Sequence, residues 1–275
     1  MLDASRFQEV LILGHGAFGS IGVFRDIYSQ RQVVIKKITF HDENELEAVK
    51  KEVVVMQKLK NEFVVRCFGY FLKEKSINIV MEYCQNGDLQ KYIDNMKKEH
   101  KIITEQEFFD LAAQLASGKN RLKIGDFGLS KVIDDQDYAN TVAGTRLFLS
   151  PEMLKKWSYT EKVDQWSLGI ILYILAELRH PFNISSEVSL VLGILNEKPA
   201  PFMNMKNESA QKLILSLLDK DADSRQNAEK ILHLPEISAL LYLKMDCNKA
   251  KLKLQKPILQ LHQDGYIVMF NFLNQ

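Results

Sequence analysis

Gly14-His15-Gly16-Ala17-Phe18-Gly19-Ser20-Ile21-Gly22-Val23-Phe24 is the stretch on which the fold turns. Its first six residues form a G-x-G-x-x-G pattern, a weak signal alone. A glycine turn in a hairpin produces it, and so does a dinucleotide-binding turn. The residues after the last glycine separate the two. A dinucleotide fingerprint needs a helix there, whereas Ser20 to Phe24 reads as a strand. A strand–glycine loop–strand flap suits a lid over nucleotide phosphates. At Gly14, Gly16 and Gly19 no Cβ atom keeps the backbone away from phosphate oxygens.

Outward from this loop the chain is strand-rich. Phe7 to Leu13, Ile21 to Arg25 and Gln32 to Ile38 are short apolar or β-branched runs between glycine and polar residues. A helix follows, with Asp42 as N-cap and Leu46, Val49, Val53 and Met56 as an apolar stripe. Phe63 to Phe71 and Ile77 to Met81 complete a five-stranded unit with one helix. Within Val33-Val34-Ile35-Lys36-Lys37-Ile38, alternation puts Lys36 on one face with Val34 and Ile38. A strand lysine is often an edge gatekeeper meeting solvent. Glu52, however, shares a helix face with Val49, Val53 and Met56, and a carboxylate in an apolar stripe needs a cationic partner or a raised pKa. Lys36 and Glu52 answer each other, and a Lys–Glu pair aimed at the α- and β-phosphates gives both a purpose. Lys37 is the lesser alternative, since it faces the opposite way.

The strand pattern breaks at Glu82-Tyr83-Cys84-Gln85-Asn86-Gly87-Asp88, which reads as a linker. Helices dominate afterwards. Thr104 and Glu107 form a capping box ahead of the stripe Phe108, Leu111, Ala112 and Leu115. Val163 to Leu178 is hydrophobic almost all round and should be central in the second unit. Val188 to Leu195, Ala210 to Leu218 and Asn227 to Leu232 are further helices. Residues after about Pro235 read as a helical or poorly ordered tail, basic from Lys249 to Lys256 and apolar at its end.

Composition excludes little but agrees. A chain of 275 residues with 46% hydrophobic content can bury a core in one large domain or two lobes. With 36 basic and 35 acidic residues, the net charge of +1 gives no field calling for nucleic acid or an anionic membrane. Cys67, Cys84 and Cys247 show neither a disulfide framework nor zinc spacing, which points to a reducing compartment. The first residues do not form a signal peptide. The apolar run Leu168 to Leu178 is too short to span a bilayer. The expectation is a soluble intracellular protein without membrane insertion.

Gly125-Asp126-Phe127-Gly128 follows a short strand, Leu122-Lys123-Ile124. After a strand, and followed by Gly144-Thr145 and Ser150-Pro151-Glu152, the Asp-Phe-Gly is specific. Asp126 would coordinate the Mg²⁺ that bridges the β- and γ-phosphates of ATP. From about Phe7 to Pro235 the chain resembles the eukaryotic protein kinases of the serine/threonine type. It is most similar to the NIMA-related group, on Val34-Ile35-Lys36-Lys37-Ile38, Met81-Glu82-Tyr83-Cys84, Ile124-Gly125-Asp126-Phe127-Gly128 and Leu149-Ser150-Pro151-Glu152. The resemblance implies an α+β, two-lobed fold: N-lobe 1–81, hinge 82–88, a helical C-lobe 89–235 and a tail 236–275. It implies Leu13, Ile21 and Val34 above the adenine, Met81 as gatekeeper, and adenine hydrogen bonds from the backbone of Glu82 and Cys84. Thr141 takes the activation-loop phosphosite and Thr145 the threonine that favours Ser/Thr substrates. Asp164 and Trp166 match the central helix, and Arg225 should pair with Glu152. Protein substrates, ATP with Mg²⁺, and a cytoplasmic location with cytoskeletal or nuclear association go with the family. Arg146 and Leu147 depart from its usual Pro and Tyr.

The larger departure is an absence. Ala116-Ser117-Gly118 runs directly into Lys119-Asn120-Arg121-Leu122, so about 30 residues of the family layout are missing. They hold the His-Arg-Asp loop with its catalytic aspartate, the asparagine for a second Mg²⁺, the arginine that would receive a phosphate on Thr141, and the apolar residue under the adenine. His262-Gln263-Asp264 is in the wrong order to replace them. Losing a positioning base costs on the order of 10²–10⁴-fold in rate. A cut inside an element rather than at an exposed loop points to a skipped exon or a gene-model error. The expectation is therefore a kinase lineage with impaired transfer; the alternative is a pseudokinase serving as a nucleotide-binding or scaffold module.

Overall fold

The computed structural model describes residues 2–16, 19–58, 64–85, 87–117, 122–125, 145–155, 160, 162–239 and 267–270, with only the backbone of 15, 16, 116, 117, 122–125, 145, 146 and 267–270. Strands β1 (Phe7–Gly16), β2 (Gly19–Asp26), β3 (Gln32–Thr39), β4 (Cys67–Lys73) and β5 (Ser76–Glu82) form one antiparallel sheet in the order β1-β2-β3-β5-β4. Helix α1 (Glu43–Lys58) connects β3 to β4. Its side-chain cap is Asp42, whose carboxylate accepts the Glu45 N–H at 2.9 Å. The apolar stripe is buried as its spacing predicts: Leu46, Val49, Val53 and Met56 join Val34, Ile38, Ile77, Ile79 and Met81 in one core between helix and sheet. Fully burying each such side chain is worth about 1.5–3 kcal/mol. On the other face Val33, Ile35 and Val80 pack with Phe71, which stacks on Phe7.

The strand predicted over 63–71 is shorter at its start. β4 begins at Cys67, and Phe63 lies outside the described residues. At the open end of the first hairpin, Asp26 gathers Arg6, the Tyr28 N–H and the Ser29 hydroxyl. The Arg6 guanidinium outweighs burial and holds the Asp26 carboxyl well below the usual carboxylate range.

The helical unit has its own core. Its elements are α2 (Leu89–Lys98), α3 (Glu105–Ser117), α4 (Pro151–Leu154), α5 (Lys162–Glu177), α6 (Glu187–Asn196), α7 (Glu208–Leu217) and α8 (Ala228–Leu232). The capping box forms: the Thr104 hydroxyl accepts the Glu107 N–H at 3.2 Å and Glu107 accepts the Thr104 N–H at 2.9 Å. Helix α5 is the centre, with Trp166, Ile170, Leu172, Tyr173, Leu175 and Ala176 wholly buried. It meets α7 so closely at Gly169 that a Cβ there would lie 2.8 Å from Leu217 Cβ. Beside it Trp166 stacks on Phe182 with centroids 5.9 Å apart.

Two strands lie apart from the first sheet: β6 (Leu122–Gly125) and β7 (Ile267–Phe270) run parallel, Leu122 opposite Ile267. The described tail is helical over 235–239, as expected, but a strand over 267–270, which corrects the helical or poorly ordered reading for those four residues. A four-residue apolar run does not distinguish helix from strand by periodicity, and its partner is far away in sequence.

Candidate functional site

The glycine loop is the turn of the first hairpin. β1 and β2 pair from Phe7↔Asp26 to Gly16↔Gly19, with register shifts between Glu9 and Leu11 and between Ile12 and Gly14. The strand expected after the loop is therefore present, and no helix follows it. Gly19 has φ +147°, and a Cβ there would lie 1.9 Å from the Lys37 carbonyl oxygen. Only glycine fits. A Cβ at Gly14 would meet nothing within 4 Å, so that part of the loop faces open space. Leu13 is half exposed and Ile21 half-buried. Val34, one strand over, is buried.

Lys36 lies on β3 opposite Ile21 on β2 and Ile79 on β5. It is half-buried, whereas Lys37 is exposed, as the alternation of the strand requires. Val34 and Ile38, two residues either side of Lys36, pack in the core shared with Val49, Val53 and Met56 of α1. Glu52, half-buried, shares the helix face of those three. The lysine and the carboxylate thus lie on facing surfaces of one core.

β5 leads out of the sheet through Met81, buried in that core, to Glu82, whose N–H donates to the Arg66 carbonyl at 2.9 Å. The Glu82 carboxylate accepts the Arg66 N–H at 3.2 Å. Cys84 is buried, and its carbonyl accepts the Gly87 N–H at 3.1 Å. The linker closes on Asp88, the N-cap of α2, which accepts the Lys91 N–H at 2.7 Å. The structure therefore brings Gly14, Gly16, Gly19, Ile21, Val34, Lys36, Met81, Glu82 and Cys84 onto one sheet and its exit.

In the helical unit the predicted Arg225–Glu152 pair is present. Two bonds of 2.7 Å join the guanidinium to the carboxylate, and Arg225 also donates to the carbonyls of Asp219 and Lys162. Burial, the largest single influence, pushes the Glu152 carboxyl up, but the Arg225 hydrogen bonds and charge, with a backbone N–H and the Ser150 hydroxyl, together bring the net shift down. Thr145 begins a short 3-10 turn, Thr145–Phe148. That turn is pinned by a residue sequence reading missed: His180 Nε2 lies 2.9 Å from the Leu147 carbonyl and its Nδ1 3.2 Å from the Phe182 N–H. Burial lowers the His180 pKa. A neutral ring with its proton on Nε2 donates to the Leu147 carbonyl and accepts the Phe182 N–H, leaving Nδ1 3.1 Å from the Phe182 carbonyl without a proton to donate. The signal available was a histidine directly after the central helix. Glu177, also missed, is buried and accepts the N–H groups of Met203, Asn204 and Met205 at 2.8–3.0 Å. Asp126 follows β6 and, like Thr141 and the His262-Gln263-Asp264 sequence, lies outside the described residues.

Two family models tile this architecture. Residues 7–122 match the family described as protein tyrosine and serine/threonine kinase, and residues 115–236 match the protein kinase domain. This chain belongs to the protein kinase family. Its relatives place it in the serine/threonine, NIMA-related branch. It is 30% identical to serine/threonine-protein kinase Nek5 of Mus musculus over 263 residues, 86% of this chain and 41% of that protein. It is 29% identical to serine/threonine-protein kinase Nek8 of Danio rerio over 281 residues, 92% of this chain and 40% of the relative. With serine/threonine-protein kinase nekl-2 of Caenorhabditis elegans it shares 27% identity over 280 residues, 90% of this chain and 78% of that one. The chain spans about two fifths of the length of the first two. An ATP substrate, usually with Mg²⁺, goes with the kinase family. In this chain α3 ends at Ser117 and β6 begins at Leu122, with four residues of sequence between them. No helix among the described residues is long and apolar enough to cross a membrane.

Proposed function

We propose that this chain is the ATP-gripping domain of a serine/threonine protein kinase whose phosphoryl transfer to protein substrates is impaired. The observation that carries the reading is the placement of Lys36 and Glu52 on facing surfaces of one core, behind a glycine hairpin in which Gly19 admits no side chain. In this reading Lys36, held by Glu52, contacts the α- and β-phosphates, and the backbone of the loop at Gly14, Gly16 and Gly19 covers them. Leu13, Ile21 and Val34 lie over the adenine, Met81 guards the pocket behind it, and the backbone of Glu82 and Cys84 reads its edge. The units are an N-lobe to residue 81, a hinge 82–88 and a C-lobe 89–235.

Among the described residues no group of three or more His, Cys, Asp or Glu side chains could hold a metal ion. The donor chemistry suits Mg²⁺, which is held by one or two carboxylates together with phosphate oxygens rather than by a protein cage. Asp126 is the carboxylate for it, and bound there the ion would neutralise charge on the β- and γ-phosphates. Thr145 would sit beside the acceptor segment and Thr141 would be the phosphorylation site of the loop between. The junction at residues 118–121 favours a second role, as a nucleotide-binding scaffold, over efficient transfer. A cytoplasmic location, with cytoskeletal or nuclear association, follows from the family.

Nucleotide binding is tested by thermal shift. Mg²⁺-ATP should raise the melting temperature of the unmodified chain, and Lys36→Met should remove most of that rise. No shift in the unmodified chain would sink the reading.

A further inference from the structure

Strand β6 leads straight into Asp126, yet only four residues separate it from the end of α3. Nothing in that short junction can supply it with a neighbouring strand, because adjacent antiparallel strands need a turn and a second run of residues. β6 instead pairs with β7, in parallel and over four residues: Leu122↔Ile267, Lys123↔Val268, Ile124↔Met269 and Gly125↔Phe270. β7 also packs against α2, the helix that starts where the hinge linker ends. A two-stranded sheet is marginal alone, so the third contact matters. The sequence of β7, Ile-Val-Met-Phe, is apolar, with two β-branched residues and an aromatic one suited to a strand.

We propose that the edge of β6 is a strand-acceptor groove whose occupant also packs against α2. Its occupant is this chain's own segment Ile267–Phe270, added by the same backbone pairing that lets an extended peptide join a sheet edge. Among the described residues this segment is the strand that pairs with β6. It thereby ties the strand that precedes Asp126 in sequence to the helix at the end of the hinge. This rests on the proposed nucleotide binding only in its consequence, that Mg²⁺-ATP binding weakens when the segment leaves the groove.

Hydrogen–deuterium exchange on the full chain reads the docking directly. In a parallel pair, alternate residues direct their N–H groups to a given neighbour. One of the two single variants Val268→Pro and Met269→Pro must therefore delete a bond to β6. That variant should speed exchange at 123–125 by at least about tenfold, which corresponds to roughly 1.4 kcal/mol. Amides of β3 and β5 should exchange as before and serve as the control for global unfolding. Unchanged exchange at 123–125 in both variants overturns the proposal. A Lys123→Cys/Val268→Cys pair, in a background with Cys67, Cys84 and Cys247 replaced by serine, gives a second reading. Cross-linking should be independent of protein concentration; no cross-link, or one that grows with concentration, overturns occupancy by the same chain. The Mg²⁺-ATP thermal shift should fall in the proline variant that frees β6. A full shift there overturns the link to binding, whereas no shift in the unmodified chain counts against the nucleotide reading and leaves the exchange result to judge the groove.

Discussion

The five-stranded sheet and the β6–β7 pair are built from similar residues in opposite ways. In the first, each strand pairs with a neighbour in the chain, and the step from β3 to β5 spans only α1 and β4. In the second, two strands of four residues meet across α4 to α8. Short closures are entropically inexpensive, and long-range pairing must first overcome a larger loop-closure cost. The local sheet therefore stands on its own core, while the pairing shown for β6 is with a segment distant in sequence. That is also how the kinase parts divide. The residues proposed to grip ATP, the glycine loop, Lys36 and the hinge, belong to the local sheet and its exit, and the proposed loss at the junction 118–121 adjoins β6.

The comparison is broken most severely through the helical unit. Arg225→Ala leaves Glu152 buried without its cation and should destabilise that unit by about 3–5 kcal/mol. Chemical denaturation should show it, with amide exchange in β3 and β5 moving far less than in α5. Equal loss in both units would mean that they do not stand separately. Acid should act on the same pair. The folded-state pKa of Glu152 lies below its ordinary 4.5, so its contribution is present above that pH and is lost as the pH falls through the folded value. Denaturation midpoints measured from pH 6 down to 2 should fall in that window, and Glu152→Gln should flatten part of the fall. Gly169→Ala forces a Cβ to 2.8 Å from Leu217 and should cost about 1–3 kcal/mol in the same denaturation experiment. Smallest is Thr104→Ala, which removes one half of the capping box and should cost about 1 kcal/mol, with faster exchange confined to the first turn of α3.

Legibility in the sequence splits along the same divide. Lys36 on its face of β3, the α1 stripe and the capping box rest on local periodicity, whereas the Arg225–Glu152 pair was legible only through the family resemblance. Helix α2 was hidden behind a linker whose last residue, Asp88, is its cap, although Leu89, Ile93 and Met96 carry a helical spacing. The partners of His180 and Glu177 are backbone groups, Leu147 and residues 203–205, which no side-chain pattern marks; only the position of His180 just after the central helix hinted at its role. β7 was illegible for a different reason: its identity as a strand is conferred by β6, not by its own four residues.

The central claim is that the gripping parts are intact and the transferring part is not. Phosphoryl transfer from Mg²⁺-ATP to a generic basic protein tests it most directly. The account predicts incorporation close to background in the unmodified chain. Robust incorporation that Lys36→Met abolishes would contradict it.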